Sequence, residues 1–385
     1  MIIQRLLDLQ LPPRKSAFLW GPRKTGKTTY LKQRFPESVC YDFLQTDLFL
    51  RFSKSPALLR QELLALDPKR LHHPILLDEV QKVPQLLDEV HWLIENKRLQ
   101  FILCGSSARK LKRGKANLLG GRAWRFELFP LVSPEIRDFH LLRALNHGLI
   151  PVHYLEDHPR KSLEGYIQDY LKEEVFAEGL TRNIPAFSRF FDAMGYSHGE
   201  LTVFSNIARD AGVDAKTVKE YYQILVDTLL GSWVLPFRKR QHRQVIAKAS
   251  KFYLFDVGVA GAMTKRRLEE ARGEGFGKAL EHFILMELMA YRAYRSLDFE
   301  IRFWRTKSGL EVDFILGEAE IALEVKGASR VDAKELRPLT AFREEHAPKH
   351  ALVVCLENTE RVVGKIRILP WNLFLEKLWA GHWIR

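Results

Sequence analysis

Two short stretches of this chain carry residues that could handle a nucleoside triphosphate. Gly21-Pro22-Arg23-Lys24-Thr25-Gly26-Lys27-Thr28 fits the spacing G-x-x-x-x-G-K-[ST], and Thr29 follows it. The glycines let a backbone curl until its N–H groups face a row of phosphates, and a helix starting there adds its partial positive charge. Lys27 would reach the terminal phosphates, and the Thr28 hydroxyl would ligate Mg²⁺. Farther along, Ile75-Leu76-Leu77-Asp78-Glu79 is an apolar run ending in two acids. Asp78 would hold the same Mg²⁺, directly or through water. Glu79 would act on the attacking water, as a general base or by positioning it. The chemistry implied is ATP hydrolysis, with ATP and Mg²⁺ as cofactors.

A second constellation lies near the C-terminus. Glu311–Leu316 and Glu320–Lys326 flank Gly317-Glu318-Ala319. A two-residue loop at Glu318-Ala319 pairs Gly317 with Glu320 and, carried along, sets Asp313 opposite Glu324. Directly opposite residues share a face, with Cβ atoms about 4.5–5.5 Å apart. Lys326 falls on that face too. Two carboxylates this close repel unless a cation or proton joins them, which makes a second Mg²⁺ a natural occupant. Lys326 could orient a water or stabilise a phosphate, and Glu281 on the preceding helical run GKALEHFILMEL could complete the ligand set.

The elements that must position these residues follow from the apolar pattern. Ser16–Trp20 reads as a strand running into the Gly-rich turn, with a helix from about Gly26. Val39–Phe43, Pro74–Asp78 and Leu99–Cys104 read as further strands, with helices over Leu58–Leu66 and from Pro84. This βαβ alternation predicts a parallel sheet covered by helices on both faces, whose carboxyl edge is where ligands bind. The chain then turns helical after Pro130. A compact helical unit ending in a strand spans 185–240, a helix-and-strand region 277–357, and WNLFLEKLW is a closing amphipathic helix.

Within the helical unit, Glu200–Ala211 reads as a helix, Gly212-Val213-Asp214 as a tight turn, and Ala215–Leu230 as a second helix capped by Asp214. Val218, Tyr222, Leu225 and Leu229 share one face, leaving Lys216, Thr217 and Lys219 at the exposed start, where a helix-turn-helix meets the major groove. Phe237–Lys251 follows with Arg238, Lys239, Arg240, Arg243, Lys248 and Lys251 and no acid. As the wing of a winged helix, such a hairpin would contact DNA phosphates, which favours structure over sequence as the thing recognised. The alternative use of this module is as a connector between proteins or domains.

Bulk composition agrees with a soluble, multidomain chain. Its 385 residues are 46% hydrophobic and 28% charged, and 60 Lys+Arg against 47 Asp+Glu leave a net charge of +13. That excess points to a polyanionic partner, most simply nucleic acid. Three scattered cysteines and no C-x-x-C exclude a zinc or disulfide framework. No run approaches the roughly 20 apolar residues of a membrane span, so a cytoplasmic protein without a membrane partner is expected.

The motifs GPRKTGKTT, LLDEVQKVP, FILCGSSA and GGRAWRFELFPLVSPEI, in that order, resemble the AAA+ ATPases, in a prokaryotic branch with a fused C-terminal domain of unknown function. The resemblance implies that the polar residue sensing the γ-phosphate is Ser106, with Ser107 as second choice. It also implies that Arg122, or else Arg125, is an arginine finger donated to a neighbour's ATP, and that the subunits form a homo-oligomer, a ring of six. Glu281, Asp313, Glu324 and Lys326 resemble the PD-(D/E)xK nuclease pattern. That fold can also serve only to bind DNA or partners.

The expected architecture is α/β and multidomain. It comprises a P-loop AAA+ domain with a parallel sheet over 1–140 and a helical lid or linker over 141–184. A winged helix follows over 185–250, then a nuclease-like α/β domain with its closing helix over 251–385. The expected function is Mg²⁺-dependent ATP hydrolysis acting on DNA, in the manner of a helicase or branch-migration motor. The alternatives are an ATP-dependent nuclease and a nucleotide-switched regulator.

Overall fold

The run Ser16–Trp20 forms strand β1, and all five of its residues are buried. A strand covered on both faces has no polar side to show, which is why its sequence does not alternate. The computed structural model describes residues 3–106, 119–171, 183–238 and 249–384. By its contacts the chain divides into two compact units, one of Met1–Pro130 with Asp227–Leu230, the other of Leu131–Val226 with Gly231–Arg385.

In the first unit β1 is followed by α1 (Lys27–Arg34), β2 (Cys40–Asp42), α2 (Thr46–Lys54), α3 (Leu58–Ala65), β3 (Ile75–Asp78), α4 (Leu86–Lys97), β4 (Phe101–Gly105) and β5 (Ala123–Glu127). The strands form one sheet in the order β2-β3-β4-β1-β5, and every neighbouring pair is parallel. This is the expected parallel α/β arrangement. Helix α4 buries Leu86, Leu87, Val90, Leu93 and Ile94, an apolar stripe at helical spacing. Two elements go beyond the sequence expectation. Helix α2 turns only Phe52 fully inward, and β5 is an edge strand with Trp124 and Arg125 exposed. Neither has a long apolar run to announce it.

The second unit opens with short helices at Leu141–His147, Pro151–Leu155 and Pro159–Gly165. Helices Ile184–Tyr196, Phe204–Ala211 and Ala215–Asp227 come next, the last ending in the first unit's 227–230 segment. Its sheet has eight strands in the order β12-β13-β11-β10-β9-β8-β6-β7. The strands are β6 (Gly231–Pro236), β7 (Lys251–Leu254), β8 (Ile301–Arg305), β9 (Glu311–Leu316), β10 (Ile321–Val325), β11 (His350–Cys355), β12 (Arg361–Val363) and β13 (Ile366–Pro370). Gly231–Val234 of β6 pair antiparallel with β7, while Leu235 and Pro236 pair parallel with β8. The β6–β7 pair is thus continuous with the large sheet. The dividing line expected between residues 250 and 251 runs between two strands that hydrogen-bond to each other.

Helix Glu274–Tyr294 runs through this unit with twelve buried residues, Glu287 among them. Glu287 is 1% exposed. Its carboxylate accepts from Ser133 N at 2.7 Å, Ser133 Oγ at 3.1 Å and Trp379 Nε1 at 2.7 Å. Trp379 closes the C-terminal helix Trp371–Trp379, so one buried acid ties the start of the unit to its end. Burial pushes the Glu287 carboxyl up to about 7, against the pull of its donors. A raised carboxyl favours folding while protonated. Its contribution is full below pH 4.5 and is lost as pH rises through about 7. Glu287→Gln keeps the shape and cannot ionise. The difference in unfolding free energy, variant minus parent, should therefore rise between pH 4.5 and pH 8, by on the order of 2 kcal/mol. Thermal unfolding of both proteins across that range checks this, and a pH-independent difference would contradict it.

Candidate active site

Strand β1 delivers the chain to Gly21, where the backbone has no spare room. A Cβ at Gly21 would lie 2.4 Å from the Leu128 carbonyl oxygen. Gly26, at φ +92°, takes the left-handed turn that starts α1. The Thr25 hydroxyl closes the loop on the Pro22 carbonyl at 2.8 Å. Arg5 braces it from outside, donating to the Thr25 carbonyl at 2.7 Å and to the Phe129 carbonyl at 2.7 Å. Lys27 is 6% exposed, and its ammonium curls back onto the carbonyls of Gly21 (2.7 Å) and Pro22 (3.0 Å). Arriving phosphates would draw it off these neutral acceptors onto charged ones. Of the other loop residues, Pro22 is buried and Arg23 half-buried, while Lys24 and Thr29 are exposed.

The sheet brings the remaining parts to the same edge. Asp78, at the end of β3 and 3% exposed, accepts from the Thr28 hydroxyl at 2.5 Å and from the Glu79 amide at 3.0 Å. A hydroxyl and a carboxylate in direct contact at the first turn of the helix are the donor set a Mg²⁺ beside triphosphate oxygens would use, so the residues fit the ion. Glu79 adopts φ +56°, a left-handed conformation uncommon outside glycine. Backbone held this way is found where a side chain must be aimed. Its carboxylate is buried, which raises its pKa, with Lys27 and Arg23 pulling the other way. That makes it a better base than a free glutamate.

Gln81 completes the arrangement. Its Nε2 donates to Glu79 at 2.6 Å and to the Ser106 hydroxyl at 3.1 Å. Strand β4 lies between β1 and β3, so Ser106, just past its end, sits beside both the loop and the acids. The structure therefore joins Lys27, Thr28, Asp78, Glu79 and Ser106 as expected from the sequence. Gln81, Gly105 and Arg5 were not expected there. The signal for Gln81 was its place in LLDEVQ, three residues past Asp78. Ser107 lies outside the described residues.

Arg122 is positioned differently. It precedes β5, and Ala123 pairs with Ser16 at the start of β1, so Arg122 lies on the edge opposite the P-loop of its own chain. It pairs there with Glu95 and donates to the Gly120 carbonyl at 3.2 Å. Arg125 is exposed on the edge strand.

Two helices with a tight turn form here, but over shorter spans than expected: the first begins at Phe204, because Leu201 bridges to Lys251 as extended chain, and the second ends at Asp227, leaving Leu229 outside it. Gly212, at φ +66°, ends Phe204–Ala211, and Asp214 caps the next helix by accepting from the Thr217 amide at 2.8 Å. The Thr217 hydroxyl is engaged with the same acid at 3.2 Å, so it serves the cap. Lys216 and Lys219 are exposed, with the Lys219 ammonium 5.3 Å from the centre of the Phe204 ring. Arg238 is exposed too, while Lys239, Arg240, Arg243 and Lys248 lie outside the described residues. Lys251 is no wing residue. It is 4% exposed and paired with Glu311 at 2.5 Å and Glu281 at 3.4 Å.

The β9–β10 hairpin has the expected register, with Leu316 opposite Ile321 and Phe314 opposite Leu323. Past Leu323 the Asp313 side chain replaces a ladder bond, accepting from the Val325 amide at 2.8 Å. Glu324 accepts from Lys326 at 2.6 Å, and its Oε2 is buried with no hydrogen-bond partner among the described residues. Burial, together with Glu324 and Glu281 nearby, holds the Asp313 carboxyl well above the usual range. The expected second Mg²⁺ ligand set of Glu281, Asp313 and Glu324 is not assembled. Glu281 is held by the Tyr253 hydroxyl and Lys251, and among the described residues no three His, Cys, Asp or Glu side chains converge enough to hold a metal.

Residues 13–137 match the family model of an AAA domain, and 138–270 and 276–374 match two domains of unknown function, DUF8612 and DUF4143. The first region is thus similar to AAA domains, and it carries the P-loop motif at 21–28. The chain is similar to an uncharacterized protein of Mycobacterium tuberculosis, 26% identical over 309 residues, covering 77% of this chain and 66% of that one, so it spans just under two thirds of the relative. An uncharacterized protein of Methanocaldococcus jannaschii is 21% identical over 358 residues, 84% of this chain and 77% of its own. Among solved structures, the ORC1 protein of Aeropyrum pernix in complex with DNA aligns over 65% of this chain and 86% of its own, at 11% identity and a TM-score of 0.26. Among the described residues no helix is long and apolar enough to cross a membrane.

A Cβ at Gly105 would lie 2.2 Å from Gln81 Oε1. Gly105→Ala should therefore displace Gln81 and with it the aim of Glu79. ATP turnover should fall by about tenfold or more while ATP affinity changes little. Equal losses in both, by single-turnover kinetics and nucleotide titration, would show that Gln81 serves the loop instead.

Proposed function

We propose that this chain hydrolyses ATP in a Mg²⁺-dependent reaction and couples it to DNA as a homo-oligomer. The observation that carries the ATPase reading is the chain of contacts Thr28–Asp78 and Glu79–Gln81–Ser106 at the mouth of the P-loop. Mg²⁺ would neutralise charge on the phosphates and orient them for attack. Lys27 would hold the phosphates, Glu79 would orient or deprotonate the water, and Gln81 would fix Glu79 relative to Ser106. Arg122 would leave Glu95 to reach a neighbouring subunit's nucleotide, an always-charged fork suited to phosphate oxygens.

The DNA reading is supported by the net charge of +13, by exposed Lys216 and Lys219 on a helix-turn-helix, and by exposed Arg238 at the start of a segment whose sequence is basic. Such groups meet phosphates, so the proposed partner is DNA recognised by its structure, with branched DNA remodelled by a ring-shaped motor as the sharpest form of the idea. The test is ATP hydrolysis measured with no DNA, single strand, duplex and a four-way junction, using Glu79→Gln as the blank. One form should stimulate the rate several-fold, less so at high salt. A rate unchanged across all four, yet abolished in Glu79→Gln, would leave ATP hydrolysis standing and replace the motor with a nucleotide-switched binder.

The trans role of Arg122 has its own signature. Arg122→Ala and Lys27→Ala should each be inactive alone and regain partial ATPase activity when mixed, because mixed assemblies contain intact interfaces. An Arg122→Ala chain active by itself would reduce Arg122 to the partner of Glu95.

A further inference from the structure

Lys251 is a lysine that the fold buries. Its backbone is clamped on both sides, paired with Val234 of β6 and bridged to Leu201. The side chain is 4% exposed and runs inward. Its ammonium meets Glu311 Oε1 at 2.5 Å and Glu281 Oε1 at 3.4 Å, and lies 5.6 Å from the centre of the Phe303 ring. The same Glu281 oxygen also accepts from the Tyr253 hydroxyl. Glu311 is tied from its other oxygen to Arg305 at 2.8 Å. Asp313 is close enough to act on Lys251 electrostatically. Lys251, Tyr253, Glu281 and Glu311 line a cleft of about 350 Å³, together with His198, Lys278 and Glu200.

We propose that Lys251 is the resident cation of this acid centre, filling by its ammonium the role a divalent ion would take beside Glu281, Glu311 and Asp313, so that the centre is closed to divalent metal while the side chain is seated. Three physical points support this. A buried ammonium next to a bound divalent ion would repel it strongly in a low-dielectric interior. A divalent ion needs several oxygens converging on one point, and here they are already spoken for. Glu281 is taken by Lys251 and Tyr253, Glu311 by Lys251 and Arg305, one oxygen of Asp313 by the Val325 amide, and one oxygen of Glu324 by Lys326. Glu324 Oε2 has no hydrogen-bond partner among the described residues, but a single carboxylate oxygen does not make a divalent site. Finally, the ammonium is not free to swing away as a surface lysine's would be, because the residue is buried and ion-paired to Glu311 and Glu281. The β6–β7 pair and the acid centre form one interlocked piece, and the nuclease-like arrangement serves in this chain as a charge-balanced scaffold.

The test uses full-length protein with Asp78→Asn throughout, which removes the metal ligand of the P-loop. Mn²⁺ alone is the probe, and electron paramagnetic resonance reads free against bound ion. The Asp78→Asn chain should bind no Mn²⁺ through the low millimolar range. Adding Lys251→Met, which keeps the apolar stem and removes the charge, should create one site per chain at least about tenfold tighter than any residual binding, and Glu281→Gln should abolish it. Mn²⁺ bound by the Asp78→Asn chain and lost with Glu281→Gln would overturn the proposal. So would a Lys251→Met chain that melts like its parent and gains no site. The titration of the Asp78→Asn chain decides the point without any Lys251 variant having to fold.

Discussion

In a parallel sheet every strand ends on the same edge, and the first unit is built on that fact. Strand β4 lies between β1 and β3, so the P-loop, the Asp78-Glu79 pair and Ser106 arrive side by side without any long-range steering of loops. The strands are apolar because both faces are covered, and the polar residues are pushed to the ends, where chemistry can use them. Close approach then imposes glycine at two points. At Gly21 the loop touches the chain leaving β5, and at Gly105 the end of β4 makes room for Gln81. The left-handed turn at Glu79 belongs to the same construction, since it swings the acid toward Gln81 and Ser106.

The second unit meets a different constraint, the burial of charge. An unpaired buried ion is costly, so each must be answered by opposite charge or by hydrogen bonds. The fold uses both answers. Lys251 is answered by Glu281 and Glu311, whereas Glu287 has only neutral donors, and its pKa rises accordingly. Both devices connect distant parts of the unit. Lys251 links β7 to helix Glu274–Tyr294 and β9, and Glu287 links the segment after Pro130 to the closing helix. The eight-stranded sheet makes the same connection through the backbone, with β6 shared between hairpin partner and sheet neighbour.

The sequence by itself determined what depends on short-range spacing. The P-loop is eight consecutive residues, Asp78-Glu79 ends an apolar run, Asp214 caps the helix after a glycine turn, and a two-residue loop sets the register of β9 and β10. In each case neighbours along the chain are neighbours in space. The tertiary structure decided what depends on residues far apart in the chain. That Gln81 joins Glu79 to Ser106, that Arg122 rests on Glu95, and that Lys251 is buried among acids and not exposed on a wing are all outcomes of packing. A lysine in a basic segment looks the same on paper whether it faces water or a carboxylate. Only the fold brings Glu281 and Glu311, thirty and sixty residues later, to the ammonium they neutralise.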